Sequence, residues 1–232
     1  MITHTTDLER AQAAEIERLT RERPILFQGD MVRAILSGSK TQTRRIVKPQ
    51  PDTRPGMECT RLIFKDRKGN LLLDEALEAA DPLYRMFCPY GKPGDRLWVR
   101  EAWTTHAFLD AVAPRDLTTI SIHYLADGGD VQTGKHRPSI HMPRRISRIT
   151  LEITDVRVER LQDISEGDAQ AEGTPCYVCG GPMDGRSEDD CHCFHSKAKA
   201  SDYRNLWERI NGPGSWDVNP WVWVVEFRRI AP

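Results

Sequence analysis

A chain of 232 residues, 39% hydrophobic and 29% charged, has the make-up of a soluble globular protein and enough length to bury a sizeable core. It holds no apolar run near the about eighteen residues of a membrane span and opens on no charged-then-apolar leader, so a cytoplasmic protein without a membrane partner is expected. The net charge of −1 conceals an uneven distribution. Arg33, Lys40, Arg44, Arg45 and Lys48 crowd residues 31–50 without an acid, and Lys135, Arg137, Arg144, Arg145 and Arg148 repeat the pattern over 135–148. Acids gather between Asp163 and Asp190, where Arg186 is the sole base. Side by side, the two basic stretches would attract phosphate; scattered, they are ordinary solvated arginines.

In chain order, Leu8, Ala11, Ile16 and Leu19 fall near helical spacing behind a Thr or Asp cap. That predicts an exposed amphipathic helix and an N-terminal arm over 1–23. Residues 24–27 read as a short first strand. Over 29–36, Met31 and Ile35, and Val32 and Leu36, lie four apart as on one helix face, and Gly38 supplies the stop. A strand follows over 41–47, which leaves Lys40 in the turn. Residues 49–93, with Pro49, Pro51 and Pro55 and an irregular apolar pattern, read as an insertion in which Cys59 and Cys88 are buried thiols.

After the turn at 90–95, residues 96–101 alternate as a half-buried strand. Leu97 and Val99 would face the core, while Trp98, Arg100 and the following Trp103 take the other face, either stacking on a base or packing ordinarily. Further strands are expected over 120–126, 139–148 and 150–160, the last with a bulge where the apolar parity shifts after Thr154. Residues 163–173 read as a capped helix ending at Gly173. A second helix over 201–210 aligns Tyr203, Leu206, Trp207 and Ile210, and 221–230 is a closing strand. Strands outnumber helices without alternating regularly with them, so the class is α+β.

Cys176 and Cys179 stand two residues apart before Gly180 and Gly181, and Cys191, His192, Cys193 and His195 follow. Such a knuckle wraps thiolates around one tetrahedral ion, which predicts structural zinc on Cys176, Cys179, Cys191 and Cys193, with His192 or His195 as substitutes. Four thiolates would leave no open position for a catalytic water. A redox Cys-x2-Cys, the rival reading, favours a helix N-terminus over a glycine-rich loop.

Three strings, SGSKTQTRR at 37–45, YGKPGDRLWVRE at 90–101 and NPWVWVVEFRRI at 219–230, resemble the ASCH-domain family, most of all its larger phage and prophage members. The resemblance covers roughly 24–230 with gaps. It implies a PUA-like mixed β-barrel over 24–232 with flanking helices, interrupted by the Pro-rich insertion at about 49–93 and by a zinc loop at 174–196. A small bacterial member of the family hydrolyses the amide of N(4)-acetylcytidine with a Lys, a Thr three residues on and a distant Glu. Position by position these fall on Lys40, Thr43 and Glu172, with Glu166 as the alternative carboxylate. Lys40 would serve as base, either for Thr43 or directly for water with Thr43 holding the substrate. Glu172 would orient the lysine or activate the water, and Arg44, Arg45 or a backbone amide could face the oxyanion. Thr41, Arg44, Arg45, Trp98, Arg100, Arg144 and Arg145 are the residues expected to meet the substrate or a nucleic acid, RNA before DNA. Other family members bind or cleave RNA, so a non-catalytic binding module and a ribonuclease stand beside the hydrolase.

Overall fold

A computed structural model describes residues 21–55, 60–65, 68–76, 83–117, 122–128, 134–174 and 200–230. Strand β1 (Glu22–Leu26) leads into helix α1 (Gly29–Ser37), which buries Val32 and Ile35. The helix stops as expected: Gly38 takes φ 81°, a left-handed conformation that suits glycine, and its N–H donates to the Ile35 carbonyl. Strand β2 (Gln42–Ile46) follows, then a meander of β3 (Asp52–Pro55), β4 (Thr60–Lys65) and β5 (Leu71–Ala76). After β6 (Arg96–Arg100) the chain builds a lobe of turns around the two-residue strands β7 (Trp103–Thr104) and β8 (His123–Tyr124). It then returns through the long β9 (Thr150–Arg160), α2 (Glu166–Ala171), α3 (Ala200–Asn211) and β10 (Trp221–Ile230).

The architecture is α+β. Five strands form the main sheet in the order β1-β6-β9-β10-β2, with β1 and β6 parallel and the other pairs antiparallel. Among the described residues this sheet stays open, with β1 and β2 as its edges, so hydrogen bonding closes no barrel. Strand β10 is central and buried on both faces, which explains its unbroken apolar run. Trp221, Trp223, Val225 and Phe227 join the larger core with Ile25, Phe27, Leu97, Val99, Leu151 and Ile153. Val222 and Val224 face the helices, against Leu161, Ala169, Tyr203, Leu206 and Trp207.

Three expectations change. The stretch 139–148 is two 3-10 turns, Ser139–His141 and Arg144–Ile146, each entered from a proline (Pro138, Pro143) that fixes φ and lacks an N–H for a ladder. Of 120–126, only His123–Tyr124 is strand before a 3-10 turn, with 118–121 outside the described residues. The Pro-rich stretch is more regular than its composition suggests. Its β4 alternates Leu62 and Phe64 into the larger core, and the Phe64 ring lies 5.8 Å from that of Trp223. The bulge in β9 falls where the parity shift placed it: Asp155 pairs with Glu226 and Ile153 with Phe227, which leaves Thr154 without a partner in the ladder. Cys88 is a buried free thiol pushed up to about 11 by burial. Residues 1–20, Cys59 and the cysteine cluster, with Cys176, Cys179, Cys191, Cys193, His192 and His195, lie outside the described residues.

Candidate functional site

The turn after α1 is pinned from two sides. Lys40 N donates to the Ala34 carbonyl (3.0 Å), Thr41 N to the Ala171 carbonyl (2.8 Å), and Lys40 pairs with Glu172 as an isolated β-bridge. On the other side, Ser165 caps α2 in a capping box with Asp168, and Glu172 is the C-cap. Gly173 then takes φ 64°, and a Cβ built there would meet Lys40 Cβ at 2.7 Å and Ala34 Cβ at 2.8 Å. Only glycine lets the chain pass so close to Lys40.

This crossing brings together residues far apart in sequence. Lys40 Nζ donates to Glu172 Oε2 at 2.8 Å and to the Glu172 carbonyl oxygen at 2.7 Å, with both side chains almost wholly out of water. Nζ also lies 5.6 Å from the centre of the Phe27 ring. Burial lowers the Lys40 pKa, Glu172 pulls it back, and nearby Arg45 and Arg44 lower it further. The amine thus holds its proton less firmly than an exposed lysine does.

Arg44 anchors the other end of Glu172. Its Nη1 lies 3.4 Å from Glu172 Oε1, while Nη2 meets Glu159 Oε2 at 2.9 Å and Asp168 Oδ2 at 3.2 Å. Arg157 continues the chain to Asp168 Oδ1 at 2.9 Å and to Glu159 and Glu226. Burial favours protonation of Asp168, but the Ser165 hydrogen bond and the charges of Arg44 and Arg157 outweigh it and hold the pKa below the usual value. An arginine with three carboxylates around it is a spacer that fixes Glu172, and little of its charge is left for a ligand.

A cavity of about 480 Å³ opens against this network, between the free edge of β2, the end of β1, and α3. Glu172, Thr43, Arg44 and Arg45 line it, with Lys48 and Tyr90, while Phe27, Met31, Tyr203, Leu206 and Trp207 supply apolar wall. An apolar cavity of this size with a few convergent polar groups suits a small organic ligand. Lys40 is not among the lining residues; it stands behind Glu172. Burial, then Glu172, raises the Tyr203 pKa well above the phenol value, so its hydroxyl keeps the proton, and the ring lies 5.9 Å from the Arg44 guanidinium carbon. Trp207 Nε1 and Arg44 Nε are buried with no hydrogen-bond partner among the described residues.

The remaining expected contacts distribute unevenly. Thr41 is exposed beside Lys40, and Arg45 crosses from β2 to the Leu26 carbonyl (2.7 Å) over the Phe27 ring. Trp98 is 8% exposed and carries the Arg100 guanidinium carbon 4.6 Å from its ring centre, so no open aromatic face is offered to a base. Trp103 is fully buried in the lobe with Leu117, Met142 and Ile146. Arg144 pairs with Glu22 (2.8 Å), and Arg145 donates to the carbonyls of Pro114, Arg115 and Leu117. None of Trp98, Arg100, Arg144 and Arg145 lines the cavity. Glu166, the alternative carboxylate, sits in the first turn of α2, whereas Glu172 at its end meets Lys40.

Sequence reasoning missed Glu159 and Asp168 as partners of Arg44, and Phe27, Tyr90, Tyr203 and Trp207 as cavity wall. The aromatic pair Tyr203 and Trp207, four residues apart on one helix face, was the available signal, but it reads equally as core. No protein-family model matches this chain, and neither a curated protein nor a solved structure matches it.

Proposed function

We propose that this chain is an ASCH-type protein of PUA-like fold that hydrolyses an amide on a modified nucleoside, an acylated cytidine-type base being the substrate class. The observation that carries the reading is the 2.8 Å contact of Lys40 Nζ with Glu172 Oε2 at the wall of a cavity of nucleoside size that Thr43 also lines. Glu172 lines the cavity and Lys40 does not, which favours water over Thr43 as the nucleophile. Glu172 takes a proton from that water as its oxygen bonds to the acyl carbon. The developing oxyanion accepts a hydrogen bond from the hydroxyl of Thr43, which lines the same cavity. The C–N bond then breaks, and the proton moves from Glu172 to the departing exocyclic nitrogen. Products are the free amine and the carboxylic acid, which gives up its remaining proton to solvent to become the carboxylate. Lys40 holds Glu172 in register throughout, and its weakened hold on its own proton suits it to relay one.

Mass spectrometry of N(4)-acetylcytidine incubated with the purified protein tests this. Cytidine and acetate should appear, and Lys40→Ala and Glu172→Ala should each abolish them; turnover that survives both substitutions overturns the assignment.

The second reading, a non-catalytic module for RNA or, less readily, DNA, is favoured by Arg45 and Lys48, which have no carboxylate partner among the described residues. Affinity for short RNA and DNA measured against salt separates it: a binder loses affinity steeply as salt rises. For the cysteine loop we retain a structural zinc on Cys176, Cys179, Cys191 and Cys193, supported by spacing alone. Elemental analysis should find zinc in proportion to protein, and a folded metal-free preparation removes it.

A further inference from the structure

The cavity lies along the edge of β2, which no other strand covers among the described residues. Phe227 N donates to the Thr41 carbonyl (2.8 Å) and Val47 N to the Trp221 carbonyl (3.0 Å). Odd-numbered residues of β2 therefore turn their backbone towards β10, and the even-numbered Arg44 and Ile46 turn theirs towards the open edge. Arg44 and Ile46 both line the cavity, and the N–H and C=O groups along their edge form the pattern a planar heterocycle with neighbouring acceptor and donor can match.

The cations around the same space divide into two kinds. Lys40 and Arg44 are neutralised by Glu172, Glu159 and Asp168. Arg45 and Lys48, which also line the cavity, have no carboxylate partner among the described residues. Arg45 spends one nitrogen on the Leu26 carbonyl, and its Nε is buried with no hydrogen-bond partner among the described residues. Two cations that line one cavity, one of them exposed, with no described carboxylate to neutralise them have the chemistry of an incomplete anion site.

We propose that Arg45 and Lys48 form a subsite for a phosphate monoester, so that the cavity takes a mononucleotide: the heterocycle against the Arg44–Ile46 edge and the phosphate on the two cations. This rests on the nucleoside reading above and narrows it from free nucleoside to nucleotide. The volume of about 480 Å³ lies in the range of sites that enclose a molecule of that size.

Calorimetric titration of the whole protein with cytidine, cytidine 5′-monophosphate and inorganic phosphate at low salt provides the test, repeated with Lys48→Gln. Lys48 is exposed, so this variant leaves the fold intact. The monophosphate should bind about tenfold more tightly than cytidine, the scale of one charge-assisted contact, and the advantage should shrink several-fold in Lys48→Gln and as salt rises. Equal affinity for the two ligands, or an advantage that Lys48→Gln leaves unchanged, overturns the subsite. A short 5′-phosphorylated RNA that binds more tightly than the monophosphate overturns the mononucleotide assignment. The two readings fail separately. Hydrolysis of N(4)-acetylcytidine with no preference for its 5′-phosphate removes the subsite and leaves the hydrolase, whereas monophosphate-selective binding without hydrolysis does the reverse.

Discussion

Two stretches of this chain look alike as sequence, 31–50 and 135–148, each with five cations and no acid. In the fold they part company. The first turns Lys40 and Arg44 inward onto Glu172, Glu159 and Asp168, and that buried network abuts a cavity. The second spends its charge on holding the lobe and β1 in place. Arg137 donates to the carbonyls of Leu109 and Val112, Arg145 to those of the 114–117 turn, and Arg144 pairs with Glu22. Arg148 forks onto Glu101, both contacts 2.9 Å, and reaches Asp127 at 2.7 Å over the Tyr124 ring. None of the five cations of the second stretch lines the cavity that Arg44, Arg45 and Lys48 line. A run of cations becomes a functional surface only where the fold leaves it without acceptors, and here the acceptors differ in kind: carboxylates from distant elements in one case, local carbonyls and paired acids in the other.

Breaking the first network should have the largest effect. Glu172→Ala strands a fully buried Lys40 and should cost about 3–5 kcal/mol in urea unfolding; a loss below about 1 kcal/mol would show the buried pair to be dispensable and erase the contrast. In the second region, Arg148→Ala leaves the nearly inaccessible Glu101 carboxylate unpaired and should cost about 3 kcal/mol. It should leave hydrolysis unchanged per folded molecule, which activity normalised to folded fraction will check. Gly173→Ala tests the crossing itself: its Cβ would press on Lys40 and Ala34 at a positive φ, so about 1–3 kcal/mol should be lost together with activity. The smallest effect concerns pH. The Asp168 pKa is held below the ordinary 3.8, so its contribution is complete above that value and disappears as the pH falls through the depressed one. Asp168→Asn should therefore flatten the acid limb of stability against pH, and an unchanged limb would remove Asp168 from the network.

Much of the scaffold was legible because single elements carried their own signals. The apolar run of β10, the helix spacing of α1 with Gly38 behind it, and the parity shift at Thr154 each point one way, and each element forms there. Proline misled in two directions. Pro138 and Pro143 sat inside a stretch read as strand and made turns of it, while Pro49, Pro51 and Pro55 obscured a meander whose β4 alternates cleanly. The meeting of Lys40 with Glu172 came from the family resemblance. Nothing local to either residue announces it, since it depends on how two chain reversals, at Gly38 and Gly173, lie against each other. The partners of Arg44 were less legible still. Glu159 belongs to a strand two places across the sheet and Asp168 to a helix cap, and both look like ordinary surface acids when read in sequence.

The most direct measurement is kcat/KM of Glu172→Gln on N(4)-acetylcytidine, alongside its unfolding curve. The amide keeps the shape and can still accept from Lys40 but takes no proton from water, so a folded enzyme slowed by at least about 100-fold, the low end for a lost general base, is the predicted result. A folded Glu172→Gln protein that turns over at the unsubstituted rate would contradict the account, and the cavity would then be a place of binding alone.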